Sequence, residues 1–190
     1  MDPAAYLSGQ LLIALPAIGD PRFERAVALL FAHDAAHAMG LVLNKPVDGL
    51  KLGTVLEQLS IACPEARRSE AVFLGGPVQP ERGFVIHTDD FSASDGATLT
   101  VPGGLACTPT REALDAISRD DGAPRRSRLA LGYAGWGPGQ LEDEIRRNVW
   151  LVCPADEEIV FDTPAPAVWA AALARLGIDP SFLTADAGQA

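Results

Sequence analysis

Arg82 and His87, five residues apart, are of types that can do chemistry on an anion. A guanidinium clamps a carboxylate or phosphate, and an imidazole titrates near neutral pH as acid or base. Their odd separation on a strand sends the two side chains to opposite faces, so joint action needs a bulge or bend between them. A second candidate is the turn at residues 132–139, which carries Gly132, Tyr133, Gly135 and Trp136 and runs into Gln140 and Glu142. Glycines permit close approach of backbone to a ligand, and a helix N-terminus offers free N–H groups to anions. The spacing matches neither the dinucleotide fingerprint nor a P-loop, and Glu142 and Glu144 compete for the same positive end. A structural tight turn and a ligand-contacting turn are the two readings. Gly75, Gly76 and Pro77, just ahead of Arg82, form a further break, and Asn44 opens another at Asn44-Lys45-Pro46.

Other constellations carry less. His33 and His37 are four apart but lack the glutamate of a His-Glu-x-x-His zinc helix and a third ligand, so no metal is expected. There is no Gly-x-Ser-x-Gly elbow. Glu142 and Glu144 fall on different faces of a helix, a poor geometry for paired acid and base work. Cys63, Cys107 and Cys153 are odd in number and far apart, which is no disulfide framework; they read as small buried hydrophobes. No cofactor is implied.

The elements that must position these residues follow from length and pattern. With 190 residues, 48% hydrophobic and 21% charged, residues 1–190 are read as one domain able to bury a sizeable core. No apolar run is long enough for a membrane span, and Met1-Asp2-Pro3-Ala4 has no basic leader, so a cytoplasmic address is expected. A formal charge of −10 repels duplex DNA unless a basic patch overrides it. The arginine groups at Arg125, Arg126 and Arg128 and at Arg67-Arg68 read as solvated faces.

Strands are expected at residues 10–15, 26–32, 40–43, 71–74, 83–87, 98–101, 129–133, 150–152 and 159–161. Helices are expected from Leu52 to before Pro64, after Thr108 as N-cap with Pro109 first, after Gly137 with Pro138 first, and from Ala165 to a Schellman cap at Gly177. About eight short strands and four helices without strict alternation indicate an α+β fold with a mixed sheet.

Taken together, several segments resemble the AlgH/YqgE family of bacterial proteins over nearly the whole chain. They are Leu15-Pro16 with Asp20-Pro21-Arg22-Phe23, His33, the run from Gly40 through Asn44-Lys45-Pro46, Leu74-Gly75-Gly76-Pro77-Val78, Arg82 through His87, and Gly132-Tyr133-Ala134-Gly135-Trp136 with Gly139-Gln140-Leu141-Glu142. The resemblance implies a compact α/β fold on a mixed, strongly bent sheet and no accepted catalytic activity. Such proteins are often labelled transcriptional regulators, through a link to alginate regulation. One departure is His37, where the family usually has glycine; if that position needs positive φ, the loop is strained or altered. The leading reading is a binding or regulatory module rather than an enzyme, with one site built by the turns at Asn44, Gly75 and Gly132 and a small anionic ligand or a protein as partner. The alternatives are an enzyme on a small anionic metabolite, using Arg82 and His87, and a regulator touching DNA directly, which the charge disfavours.

Overall fold

In the computed structural model residues 6–119 and 122–183 are described; Met1 to Ala4, where the lack of a leader was read, lie outside them. Among the described residues ten strands and four α-helices follow one another: β1 (Gln10–Ala14), β2 (Val27–His33), β3 (Ala38–Val42), β4 (Pro46–Lys51), α1 (Leu52–Gln58), β5 (Ala71–Leu74), β6 (Val78–Thr88), β7 (Leu99–Val101), β8 (Leu105–Thr108), α2 (Arg111–Ile117), β9 (Ser127–Trp136), α3 (Gln140–Arg146), β10 (Trp150–Pro154) and α4 (Val168–Arg175). They form one connected sheet in the order β10-β1-β2-β3-β9-β6-β8-β7, with β4 joined through β5 to β9. Every pair is antiparallel except β5 with β9, where Phe73 lies opposite Ala130 in parallel. The fold is mixed α+β.

Near-continuous apolar runs in β1, β2 and β3 arise because both faces of this part of the sheet are covered. Leu11, Ile13, Leu29, Phe31, Leu41 and Leu43 point one way, into a core shared with Phe84, Ile86, Leu105 and Trp169. Leu12, Ala28, Leu30 and Val42 point the other way, under Leu141 of α3 and beside Trp136 and Trp150. A third cluster sets Leu52 and Leu56 of α1 and Leu114 and Ile117 of α2 against Val85 and Leu129.

Strand β9 links the two halves. Residues 127–131 pair with β6, while Ala130 and Leu131 face β5 on the opposite edge. Past Gly132, at φ 70°, that edge is taken by β3, with Ala134 opposite Gly40 and Trp136 opposite Ala38. Left-handed backbone there permits the change of direction without a Cβ penalty. Gly75 fills the gap between the two partners: its N–H donates to Leu131 O at 2.8 Å and its carbonyl accepts from Val42 N at 2.8 Å.

Four expected elements need correction. Residues 159–161 form part of a π-helical turn, Glu158–Asp162, because Asp156 accepts from Ile159 N at 3.0 Å and winds the chain; a three-residue apolar run does not distinguish strand from turn. Thr108 ends strand β8 and Thr110 is the N-cap of α2, since the Thr108 hydroxyl is engaged across the sheet. The α3 N-cap is Gly139, at φ 69°, two residues beyond Gly137. α1 stops at Gln58, and Ser60 at φ 57° turns the chain away. The Schellman cap is present, with Ile178 N donating to Leu173 O at 3.1 Å and Gly177 at φ 70°. His37 is not among the residues with positive φ; its N–H donates to Asp34 Oδ1 at 2.9 Å, so the loop accepts a side chain there without strain.

Candidate functional site

Where β3, β6 and β9 run side by side, a cavity of about 580 Å³ opens to solvent. Met39, Phe84, Tyr133 and Trp136 contribute apolar wall, Val78 and Leu99 stand at its margins, and Arg82 is the only arginine or lysine among its lining residues. The Arg82 guanidinium lies over the Phe84 ring, 5.3 Å from its centroid, and Phe84 in turn meets Tyr133 edge to face. Stacking holds the cation at the wall with its edge free for a ligand anion. The pairing register of β6 with β9 shifts between Val78 and Gly83, and Gln79 takes φ 47°, so the intervening residues swing outward and form the cavity's lip.

Of the candidate residues, Arg82, Tyr133, Gly135 and Trp136 line this one cavity, a grouping that neither the turn nor the Arg82–His87 reading anticipated. Met39 and Leu99 were not legible as site residues, since an apolar residue on a strand carries no signal of which face is hollow. Gly75, Gly76 and Pro77 cross directly over residues 132–134: a Cβ on Gly76 would sit 2.1 Å from Tyr133 C, and one on Gly75 2.4 Å from Gly132 O. These glycines serve backbone contact. Pro77 and Gln140 border an adjoining hollow with Trp150 and Glu144 instead. Asn44 stands apart from the cavity lining: its Oδ1 accepts from Val27 N at 2.9 Å and its Nδ2 donates to Arg25 O at 2.8 Å, fixing the chain at the end of β3. The three turns therefore share no single pocket.

His87 is also apart from Arg82. It is fully buried on the opposite face, with Val85 between the sheet and the helices. Its Nδ1 lies 2.7 Å from Thr88 O, which can only accept, so Nδ1 carries the hydrogen. Nε2 then accepts from Thr108 Oγ1 at 2.8 Å, Thr108 accepts from Thr98 Oγ1 at 2.8 Å, and Thr98 accepts from Ala93 N at 2.8 Å. With the neutral ring every hydrogen in the chain has one place, and a second proton on the ring would require the Thr108 and Thr98 hydroxyls to reverse.

Burial pushes the His87 pKa below its ordinary 6.5, while the Thr88 carbonyl and the nearby Asp90 and Asp89 pull the other way. The unfolded chain therefore binds more protons than the folded one below pH 6.5. The contribution to stability is intact above that value and is lost as pH falls toward the folded-state pKa, by at most about 1.4 kcal/mol per pH unit. Urea denaturation between about pH 7.5 and 5 should give a steeper loss for wild type than for His87→Gln. Equal slopes would contradict this placement of the proton.

His33 and Glu142, the other polar candidates, form a strut. Leu7 N donates to His33 Nδ1 at 3.0 Å, so the ring hydrogen sits on Nε2, which donates to Glu142 Oε1 at 2.9 Å. Glu144 faces elsewhere, as helical spacing requires, and its Oε2 accepts from both Trp136 Nε1 at 2.9 Å and Trp150 Nε1 at 2.7 Å. Among the described residues no three His, Cys, Asp or Glu side chains stand close enough to hold a metal ion. The three cysteines are free thiols, and burial pushes the pKa of each up.

Comparison with known proteins places the fold and the motifs together. The sequence profile of the family described as AlgH-like matches residues 11–181. A UPF0301 protein of Caulobacter vibrioides is 53% identical over 189 residues, covering 100% of this chain and 96% of its own. One from Ruegeria pomeroyi is 51% identical over 185 residues, covering 97% and 99%. The solution structure of the AlgH protein from Pseudomonas aeruginosa superposes with a TM-score of 0.78 at 44% identity, covering 100% of this chain and 99% of that one. A protein of Corynebacterium diphtheriae shares the fold at 23% identity, with a TM-score of 0.71 over 92% of this chain and 90% of its own. By profile, sequence identity and three-dimensional fold, the chain belongs to the AlgH-like family, whose biochemical function is not established.

Proposed function

We propose that this chain is a cytoplasmic binding or regulatory module that takes a small ligand with an apolar body and an anionic head into the cavity between β3, β6 and β9. The supporting observation is a single cation, Arg82, held by stacking on the wall of an otherwise largely apolar cavity of about 580 Å³. Such a pocket orients a ligand by one charge and binds it by area. The His87 ring is enclosed on the other face and is not available to Arg82, and the one imidazole that lines the cavity, His37, lies 3.1 Å from Asp34. No described helix is long and apolar enough to cross a membrane. The net charge of −10 opposes a regulatory role through direct DNA contact.

Octanoate is a suitable probe, having one carboxylate and a flexible apolar tail. It should raise the melting temperature of wild type in a saturable way, a ligand at about 100 times its Kd contributing about 2.7 kcal/mol. Arg82→Ala should abolish the shift while unfolding normally without ligand. A shift that survives in Arg82→Ala, or no shift with wild type, would count against this site.

A further inference from the structure

The opposite end of β9 carries a charge imbalance that the sequence does not announce. A groove of about 850 Å³ there brings Arg67, from the turn after α1, against Arg126 and Arg128 at the start of β9, with Arg119 and Arg125 at its margins. It shares no lining residue with the Arg82 cavity. Arg128 is not on a loop: it is half-buried, its guanidinium lies 5.0 Å from the Phe73 ring centroid, and its Nη2 donates to Phe161 O at 3.1 Å. Its Nη1 is closed off from solvent and has no hydrogen-bond partner among the described residues, and neither has the hydroxyl of the adjacent Ser127.

The two carboxylates lining this groove are each held by one of its arginines. Glu70 takes two bonds of 2.8 Å from Arg67, whose Nη2 also donates to Ser127 O at 3.1 Å, and Asp162 pairs with Arg126 at 2.7 Å. Arg125 is matched by Glu157 at 2.8 Å, and Arg119 Nε donates to the Asp115 carbonyl at 3.2 Å. Among the described residues no carboxylate lies within ion-pair distance of Arg119 or Arg128, and Asp162 and Glu70 act on Arg128 only through space. Buried or half-buried cations are ordinarily paired, since desolvation penalises a lone charge. Among the described lining residues five arginines face two carboxylates, a balance opposite in sign to the chain's net charge of −10. A diffuse polyanion would meet the negative field around the groove, whereas a compact anion would meet chiefly the arginines inside it.

We propose that this groove binds a phosphorylated small molecule, its phosphate lying between Arg126 and Arg119 above Arg128. Because Nη1 of Arg128 is enclosed, that residue contributes charge from the floor, and the hydrogen bonds come from the more open Arg119 and Arg126. Guanidinium groups fit phosphate oxygens in pairs, and a tetrahedral anion can take them from two directions where a planar carboxylate takes one. The remaining groove, walled by Pro64, Phe161 and Ile117, is roomy enough for the body of a phosphate ester.

Inorganic pyrophosphate is the probe, applied to the full chain at low salt, with arginine Nε–Hε NMR signals and melting temperature as readouts. Pyrophosphate should shift the Arg119 and Arg126 signals and raise the melting temperature. Arg128→Met, which keeps the stem over Phe73, should weaken binding at least tenfold, and Arg82→Ala should leave it unchanged. Should Arg128→Met fail to fold, Arg126→Gln carries the test with the same expected loss. The assignment is overturned by silent arginine signals, by undiminished binding in the tested variant, or by loss of binding in Arg82→Ala. Equal binding of citrate overturns the phosphate preference, and tighter binding of a short DNA duplex overturns the small-molecule reading.

Discussion

Gly76→Ala is expected to leave the protein unable to hold its native fold. The added methyl would stand 2.1 Å from Tyr133 C, 2.2 Å from Tyr133 O and 2.3 Å from Ala134 N, all backbone atoms of a strand paired on both edges. No rotamer relieves such contact; either β9 or the Gly75-Gly76 crossing must move by an ångström or more, breaking the Gly75 bonds to Leu131 and Val42. Overpacking in cores commonly costs about 1 to 3 kcal/mol where side chains can adjust. Here backbone meets backbone, so a cost above about 4 kcal/mol is expected, against a usual domain margin of roughly 5 to 15 kcal/mol. Gly137→Ala, in the same glycine-rich stretch, is the control: its nearest neighbour is the Gln140 side chain at 3.9 Å, and its stability should be nearly that of wild type. Chemical denaturation of the two variants checks this. A Gly76→Ala protein within about 1 kcal/mol of wild type would show that the strands are not in such contact.

The second large effect is expected at the tryptophan pair. Trp136 and Trp150 meet edge to face with centroids 5.9 Å apart, Phe23 meets Trp150 in the same way, and one oxygen of Glu144 receives both indole N–H groups. Trp136→Ala should cost about 3 to 5 kcal/mol through the cavity it leaves. Glu144→Ala should also be destabilising, by about 1 to 3 kcal/mol for each indole N–H left without an acceptor. Glu144→Gln keeps an acceptor oxygen and should fall between Glu144→Ala and wild type. In a denaturant double-mutant cycle, Trp136→Ala and Glu144→Ala should couple, since each removes part of the same interaction. Strict additivity would mean that the carboxylate does not hold the ring. Trp136 is 5% exposed, which favours the structural reading of this segment, although it also lines the Arg82 cavity.

What the sequence disclosed and what it withheld divide along a physical line. Apolar runs bounded by proline and glycine located eight of the ten strands, because burial on both faces leaves a continuous signal. Strand β4, with its Pro46, Asp48 and Gly49, lies largely exposed and lacks that signal. Strand β8 was hidden by Pro109, which reads equally well as the start of a helix. Arg82 and His87 were rightly placed on opposite faces by their spacing. In the glycine-rich stretch the left-handed residue that lets the strand turn is Gly132, while Gly135 has ordinary backbone, a distinction that composition alone does not make. The bond from Arg67 to the Ser127 carbonyl, which brings it beside Arg126 and Arg128, spans about sixty residues of chain and depends on β5 lying parallel to β9, which no local pattern encodes.

That same strand sets the order of events during synthesis. The edge of β3 at Gly40 finds its partner only when Ala134 has been made, and β1 waits for the still later β10. At about 5 to 20 residues per second, the nascent β1-β2-β3 meander would have an unpaired, almost wholly apolar edge for roughly 5 to 20 seconds. Such an edge is a template for pairing with a neighbouring chain. A ribosome pausing between the codons for β3 and β9 would lengthen that exposure, so the yield of soluble protein should depend on how quickly the middle of the message is read.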